Sequence, residues 1–137
     1  EHVLYRGRNC YVLLNAYPYN SGHVMVVPYE HTGDLTALDA DTLAEMMFLA
    51  QACIRAFNRC LYPQGINLGM NLGKAAGAGI DEHLHLHLVP RWSGDTNFMT
   101  VMADVRVVPQ ALDETAQMLA PLIVEEAGLM SGPSDEM

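Results

Sequence analysis

The spacing of apolar and polar positions changes along the chain, and each change marks an element. Asn9 to Asn15 (NCYVLLN) and His23 to Tyr29 (HVMVVPY) are short runs rich in β-branched and aromatic residues, joined by the turn-rich AYPYNSG. They predict two core strands with a connection longer than a tight hairpin. From Asp39 to Leu61 the period lengthens, with Leu43, Met46, Met47, Ala50, Cys53, Ile54, Phe57, Cys60 and Leu61 recurring at spacings of three and four. That spacing predicts one long amphipathic helix, with Asp39 as its N-cap and Pro63 as its stop. Ile66 to Leu72, Leu84 to Pro90 and Met99 to Val108 are three further strand candidates, and Pro109 opens a second helix running to about Ala127. The order strand, strand, helix, three strands, helix lacks the alternation of a doubly wound parallel sheet. The expected class is α+β: an antiparallel five-stranded sheet with one long and one C-terminal helix. Residues 1–128 form one domain in this reading, and 129–137 a flexible tail.

Composition narrows the function. Half of the 137 residues are hydrophobic and 17% are charged, which excludes a disordered tail, a collagen-like fibre and a small disulfide scaffold. Seven Lys and Arg against sixteen Asp and Glu leave a formal charge of -9. Such a field repels phosphate backbones at long range, so no nucleic-acid partner is expected, and any phosphate bound must be held locally. No apolar run approaches the ~20 residues that span a bilayer, so no membrane partner is expected either. Cys10, Cys53 and Cys60 form no CxxC, and the last two stand ~10.5 Å apart along a helix, too far to bridge. A reducing, cytoplasmic setting is the simplest reading. The chain opens on Glu1 without a signal peptide and is read as a fragment.

The segment Asp81-Glu82-His83-Leu84-His85-Leu86-His87-Leu88-Val89-Pro90 has a period of two. Strand alternation places His83, His85 and His87 on one face and the leucines on the other. A polar sheet face is one reading of this trio. A metal site is another, but the outer pair is ~13 Å apart along a straight strand, so a mononuclear zinc would use two of the three plus a distant ligand. The third reading is imidazole chemistry. Crowded imidazoles resist simultaneous protonation, so a neutral ring can attack phosphorus and form a phosphoramidate while a neighbour stabilises phosphate oxygens or protonates the leaving group.

These residues resemble the histidine triad (HIT) signature, His-φ-His-φ-His-φ-φ with φ apolar, and the match across His83 to Val89 is complete. Asn15-Ala16-Tyr17-Pro18 is similar to the family's Asp/Asn-x-x-Pro ribose segment, Ser21 to Pro28 to the strand carrying a fourth active-site His, and Asn71 to its phosphate-binding Asn. The resemblance covers roughly residues 4 to 108. It implies a homodimer that transfers a nucleoside monophosphate through a nucleotidyl-histidine. Carried over, His85 is the nucleophile, with His83, His87 and His23 positioning, polarising and protonating around it. Asn15 holds the ribose hydroxyls, and Asn71 with the glycine-rich stretch containing Gly77 and Gly79 contacts phosphate. That stretch is not a P-loop, because Ala75 replaces the Ser/Thr that would follow Lys74. Gly79 also stands where many nucleotide-hydrolysing members carry Gln.

Val89 to Phe98 resembles the prokaryotic branch that includes diadenosine-tetraphosphate phosphorylases and related hydrolases. Trp92 reads as a packing or dimer-surface residue, with a substrate contact as its rival. Some members hold structural zinc through an upstream CxxC with histidines matching His31 and His83; this sequence has no CxxC, so no cofactor is required and zinc is unassigned. The expected function is a nucleotidyl hydrolase or transferase acting on diadenosine polyphosphates or other adenosine 5'-phosphate derivatives. A nucleotide-binding regulatory module with little turnover is the alternative of a different class.

Overall fold

The computed structural model describes residues 2–15, 22–78, 83–94 and 109–131, with the side chains of 109–111 and 131 left aside. Five strands, β1 (Val3–Arg6), β2 (Cys10–Leu14), β3 (Val24–Pro28), β4 (Gly65–Gly69) and β5 (Leu86–Arg91), form one antiparallel sheet in the order β1-β2-β3-β5-β4. Two α-helices among the described residues, α1 (Ala40–Cys60) and α2 (Pro109–Ser131), pack with it. The expected α+β class holds, with β1 in addition to the expected strands that the described residues cover. β1 was not expected, because four residues with a shift in register between Val3 and Tyr5 give too short a period-two run. The expected strand Met99–Val108 lies outside the described residues. α2 runs to Ser131, four residues past the expected end at Ala127.

The long helix forms as its spacing demands. Asp39 caps it, its Oδ1 accepting from the Thr42 amide at 2.8 Å. Met46, Leu49, Ala50, Cys53 and Phe57 bury one stripe of α1 in the same core as Leu119, Ile123 and Ala127 of α2. Arg59 binds Glu125 and, at 3.1 Å, Glu126, tying the ends of the helices together. On the sheet, Cys10, Val12, Val24, Val26, Leu86 and Leu88 face the same core. In β5 the alternate positions His87, Val89 and Arg91 are half-buried on the opposite face.

The turn joining β1 to β2 is locked from the helix side. Glu45 Oε2 accepts from the Asn9 and Cys10 amides, 2.9 Å each. Gly7 is what lets the carboxylate in, since a Cβ there would lie 2.4 Å from that oxygen and 2.9 Å from the Cys10 carbonyl.

Candidate functional site

The ladder between β3 and β5 ends at Val26 and Leu86. Continuing the register would set Pro28 opposite Leu84, and proline has no N–H to pair. The Pro28 carbonyl instead accepts from His83 Nε2 at 2.7 Å, and the Leu84 amide donates to the Thr32 carbonyl at 2.9 Å. His83 and His85 therefore precede the strand, and only His87 lies within it. The inside-outside alternation nevertheless persists through Leu84, Leu86 and Leu88, which are buried between half-buried histidines.

The three rings do not share one cluster. His85 and His87 stand edge to face with centroids 4.5 Å apart, and His87 lies 5.0 Å from His23. The His83 ring turns to His31, centroids 4.8 Å apart, with the two Nδ1 atoms at 3.3 Å. What His83 contributes toward its neighbour is its backbone carbonyl, which accepts from His85 Nδ1 at 2.8 Å.

These bonds assign the protons. A carbonyl only accepts, so a neutral His85 carries its hydrogen on Nδ1 and its lone pair on Nε2. The Asn15 side-chain amide donates to His23 Nδ1 at 2.9 Å, so His23 bears its hydrogen on Nε2 and donates it to His87 Nδ1 at 2.8 Å. His87 is left with its hydrogen on Nε2. Burial, with the positive charge of His87 and then of His85 as lesser causes, pushes His23 down from 6.5 to about 4. His23 is thus neutral at physiological pH and acts as a fixed donor.

Asn71 follows β4 at the end where Gly69 pairs with His87. Its amide nitrogen lies 3.5 Å from where a Cβ of Gly77 would be, and Gly77 adopts φ +102°. Asn71 and Gly77 therefore share one loop beside the histidines, while Gly79 lies outside the described residues. Trp92 is neither a bare surface residue nor turned to the cluster: its indole N–H is shared between the carbonyls of Leu61 and Tyr62, 3.2 Å each. His31 as the partner of His83 was visible beforehand only through the resemblance, since a histidine in a loop carries no periodicity.

Ligand nitrogens on a tetrahedral zinc stand about 3.3 Å apart, which the Nδ1 atoms of His31 and His83 match. They supply half of a structural zinc's four ligands, and no group of three His, Cys, Asp or Glu among the described residues could hold a metal. No helix among those residues is long and apolar enough to cross a membrane.

Known proteins resemble this chain in sequence and fold. The chain is 47% identical over 118 residues to a Mycobacterium tuberculosis protein named AP-4-A phosphorylase, an alignment covering 86% of this chain and 60% of that relative's length. It superposes on a zinc-bound histidine triad family protein from Mycobacterium smegmatis with a TM-score of 0.71 and 32% identity, covering 90% of this chain and 84% of that one. A Plasmodium falciparum diadenosine triphosphate hydrolase in complex with cyclomarin A shares the fold, at a TM-score of 0.72 and 19% identity over 88% of this chain and 76% of that one. The family model described as HIT domain matches residues 1–94, and with the sheet, the helices and the alternating histidines all in place the chain belongs to the HIT family.

Proposed function

We propose that this domain is a nucleotidyl hydrolase or transferase acting on diadenosine polyphosphates or other adenosine 5'-phosphate derivatives. The observation that carries the reading is the bond from His85 Nδ1 to the His83 carbonyl, which leaves the lone pair on Nε2 beside the His87 ring. The 47% identity to the protein named AP-4-A phosphorylase supports the substrate class.

In the first step the His85 Nε2 lone pair attacks the α-phosphorus. An N–P bond forms and the P–O bond to the remaining polyphosphate breaks, its electron pair leaving on the departing phosphate oxygen, which accepts a hydrogen bond from His87 Nε2–H. In the second step water or orthophosphate attacks the same phosphorus, the N–P bond breaks, its electron pair returns to Nε2, and the proton that an attacking water sheds passes to solvent while His87 keeps its own. His23, fed by Asn15, keeps the His87 proton on the nitrogen that faces the reaction. His83 orients His85 through its carbonyl. Asn15 holds the ribose, and Asn71 with Gly77 and Gly79 surrounds the phosphates. No step here runs through a metal.

We also assign homodimerisation to β4, which ends the sheet among the described residues and leaves Leu68 exposed. The unpaired thiols of Cys10, Cys53 and Cys60 fit a reducing cytoplasm.

Single-turnover mixing with labelled diadenosine tetraphosphate tests the reading. A covalent nucleotidyl group on His85, absent from His85→Asn and formed equally in EDTA, is expected. Turnover undiminished in His85→Asn would overturn the assignment, and activity abolished by EDTA and restored by zinc would return the metal-dependent alternative. Orthophosphate in place of water as acceptor, read from the products, separates phosphorylase from hydrolase.

A further inference from the structure

Gly22 directly precedes His23 and is buried with φ +82°. A Cβ at this position would stand 2.6 Å from Leu61 Cδ1, 3.3 Å from Pro90 Cγ and 3.9 Å from Phe57 Cε1. Ordinary carbon contacts begin near 3.5 Å, so the backbone leading into His23 is pressed directly onto these side chains. Phe57 and Pro90 are fully buried, which closes two sides of the seat.

Leu61 is itself held. It caps the C-terminus of α1, its amide donating to the Phe57 carbonyl at 2.8 Å. Tyr62 follows at φ +49°, a left-handed conformation that a bulky residue adopts only when its surroundings impose it. Trp92 imposes it, one indole N–H bridging both carbonyls at 3.2 Å. The Gln64 amide adds a bond to the Arg91 carbonyl at 2.9 Å, so the end of α1 is fastened twice to the end of β5.

We propose that Gly22, Leu61 and Trp92 are positioning residues that set His23 at bonding distance from His87. The His23 to His87 bond of 2.8 Å tolerates an error of a few tenths of an ångström, and His23 is one peptide unit from a glycine that has no room for a Cβ. Trp92 thus acts on the histidine cluster from the far end of β5 without touching it. The inference rests on the proposed chemistry only for its kinetic consequence, since the placement of His23 is observable without substrate.

The test uses Gly22→Ala, Leu61→Ala, the double variant and Trp92→Phe, with circular dichroism establishing folding at the assay temperature. The His23 ring titration is followed by NMR without substrate, and formation of the His85 adduct by single-turnover kinetics. Gly22→Ala is expected to raise the His23 midpoint toward that of a solvated imidazole and to slow adduct formation by about 10- to 100-fold. Leu61→Ala in the same chain removes the obstructing carbon and is expected to restore at least part of both. Trp92→Phe, which keeps the ring and loses the donor, is expected to move both readouts in the same direction by less, and it remains informative should Gly22→Ala not fold.

An unmoved His23 midpoint in folded Gly22→Ala and Trp92→Phe would overturn the proposal, as would a double variant no better than Gly22→Ala alone. A wild-type chain that forms no adduct, while the His23 midpoint still responds to these substitutions, would sink the proposed chemistry and leave the positioning role standing.

Discussion

His23 Nε2 donates to His87 Nδ1 across 2.8 Å, joining residues 64 positions apart, one immediately before β3 and the other within β5. Neutral His23 makes this bond while its Nδ1 accepts from the Asn15 amide, and a proton on His23 displaces that amide. Below its ordinary value of 6.5 an unfolded His23 takes a proton, whereas the folded one refuses it until about 4. The folded chain therefore binds fewer protons between these values, so this contribution to stability is intact above pH 6.5 and lost as pH falls toward 4. The loss is on the order of 1 to 2 kcal/mol once partial exposure of the ring is allowed for. Urea denaturation at a series of pH values should show it as the difference between the wild type and His23→Asn. Parallel pH curves for the two would contradict it.

Asn15→Asp reverses the polarity of the chain. A carboxylate accepts where the amide donated, which draws the His23 hydrogen to Nδ1 and favours the charged ring. The His23 midpoint should rise by roughly 1 to 3 units. NMR titration measures this directly, and a midpoint still at about 4 would refute the proton assignment.

His83→Ala separates the residue's two contributions. The carbonyl that binds His85 remains, while the ring bonded to Pro28 is lost. Adduct formation should slow by about 10- to 100-fold with little change in KM, because a loosened carbonyl misaligns the nucleophile without removing it. A wild-type rate would show that the ring does not steady its own backbone.

The thiols should react in order of burial. Burial raises Cys53 to about 12, burial and the Glu45 charge raise Cys10 to about 12, and Cys60 is raised less fully because Arg59 opposes the effect. Since the thiolate is the reactive form, alkylation of the folded chain near pH ~8 should modify Cys60 first, with Cys10 and Cys53 reacting only in denaturant. Peptide mapping checks the order, and Cys53 labelled as fast as Cys60 would contradict it.

Much of this architecture was readable before any coordinates. Leu43 to Leu61 carried a helical period strong enough to define α1 together with its cap, and His83 to Leu88 carried an alternation that survives even where the ladder stops. β1 was hidden because four residues hold too few repeats of a period-two pattern. The divergence of His83 from His85 and His87 was hidden for another reason. Alternation says which face a side chain leaves from, but ring direction depends on Pro28 and His31, which are distant in sequence. Gly22 and Trp92 carried only turn and packing signals, because their roles arise from contacts with Leu61 that no local pattern records.

The placement of Trp92 has a practical corollary. It is the sole tryptophan of the chain, and its indole spans the two carbonyls that follow the last turn of α1. Selective ultraviolet excitation of that indole therefore yields an intrinsic optical reporter on the joint beneath His23, with no dye to attach and no competing emitter of the same type.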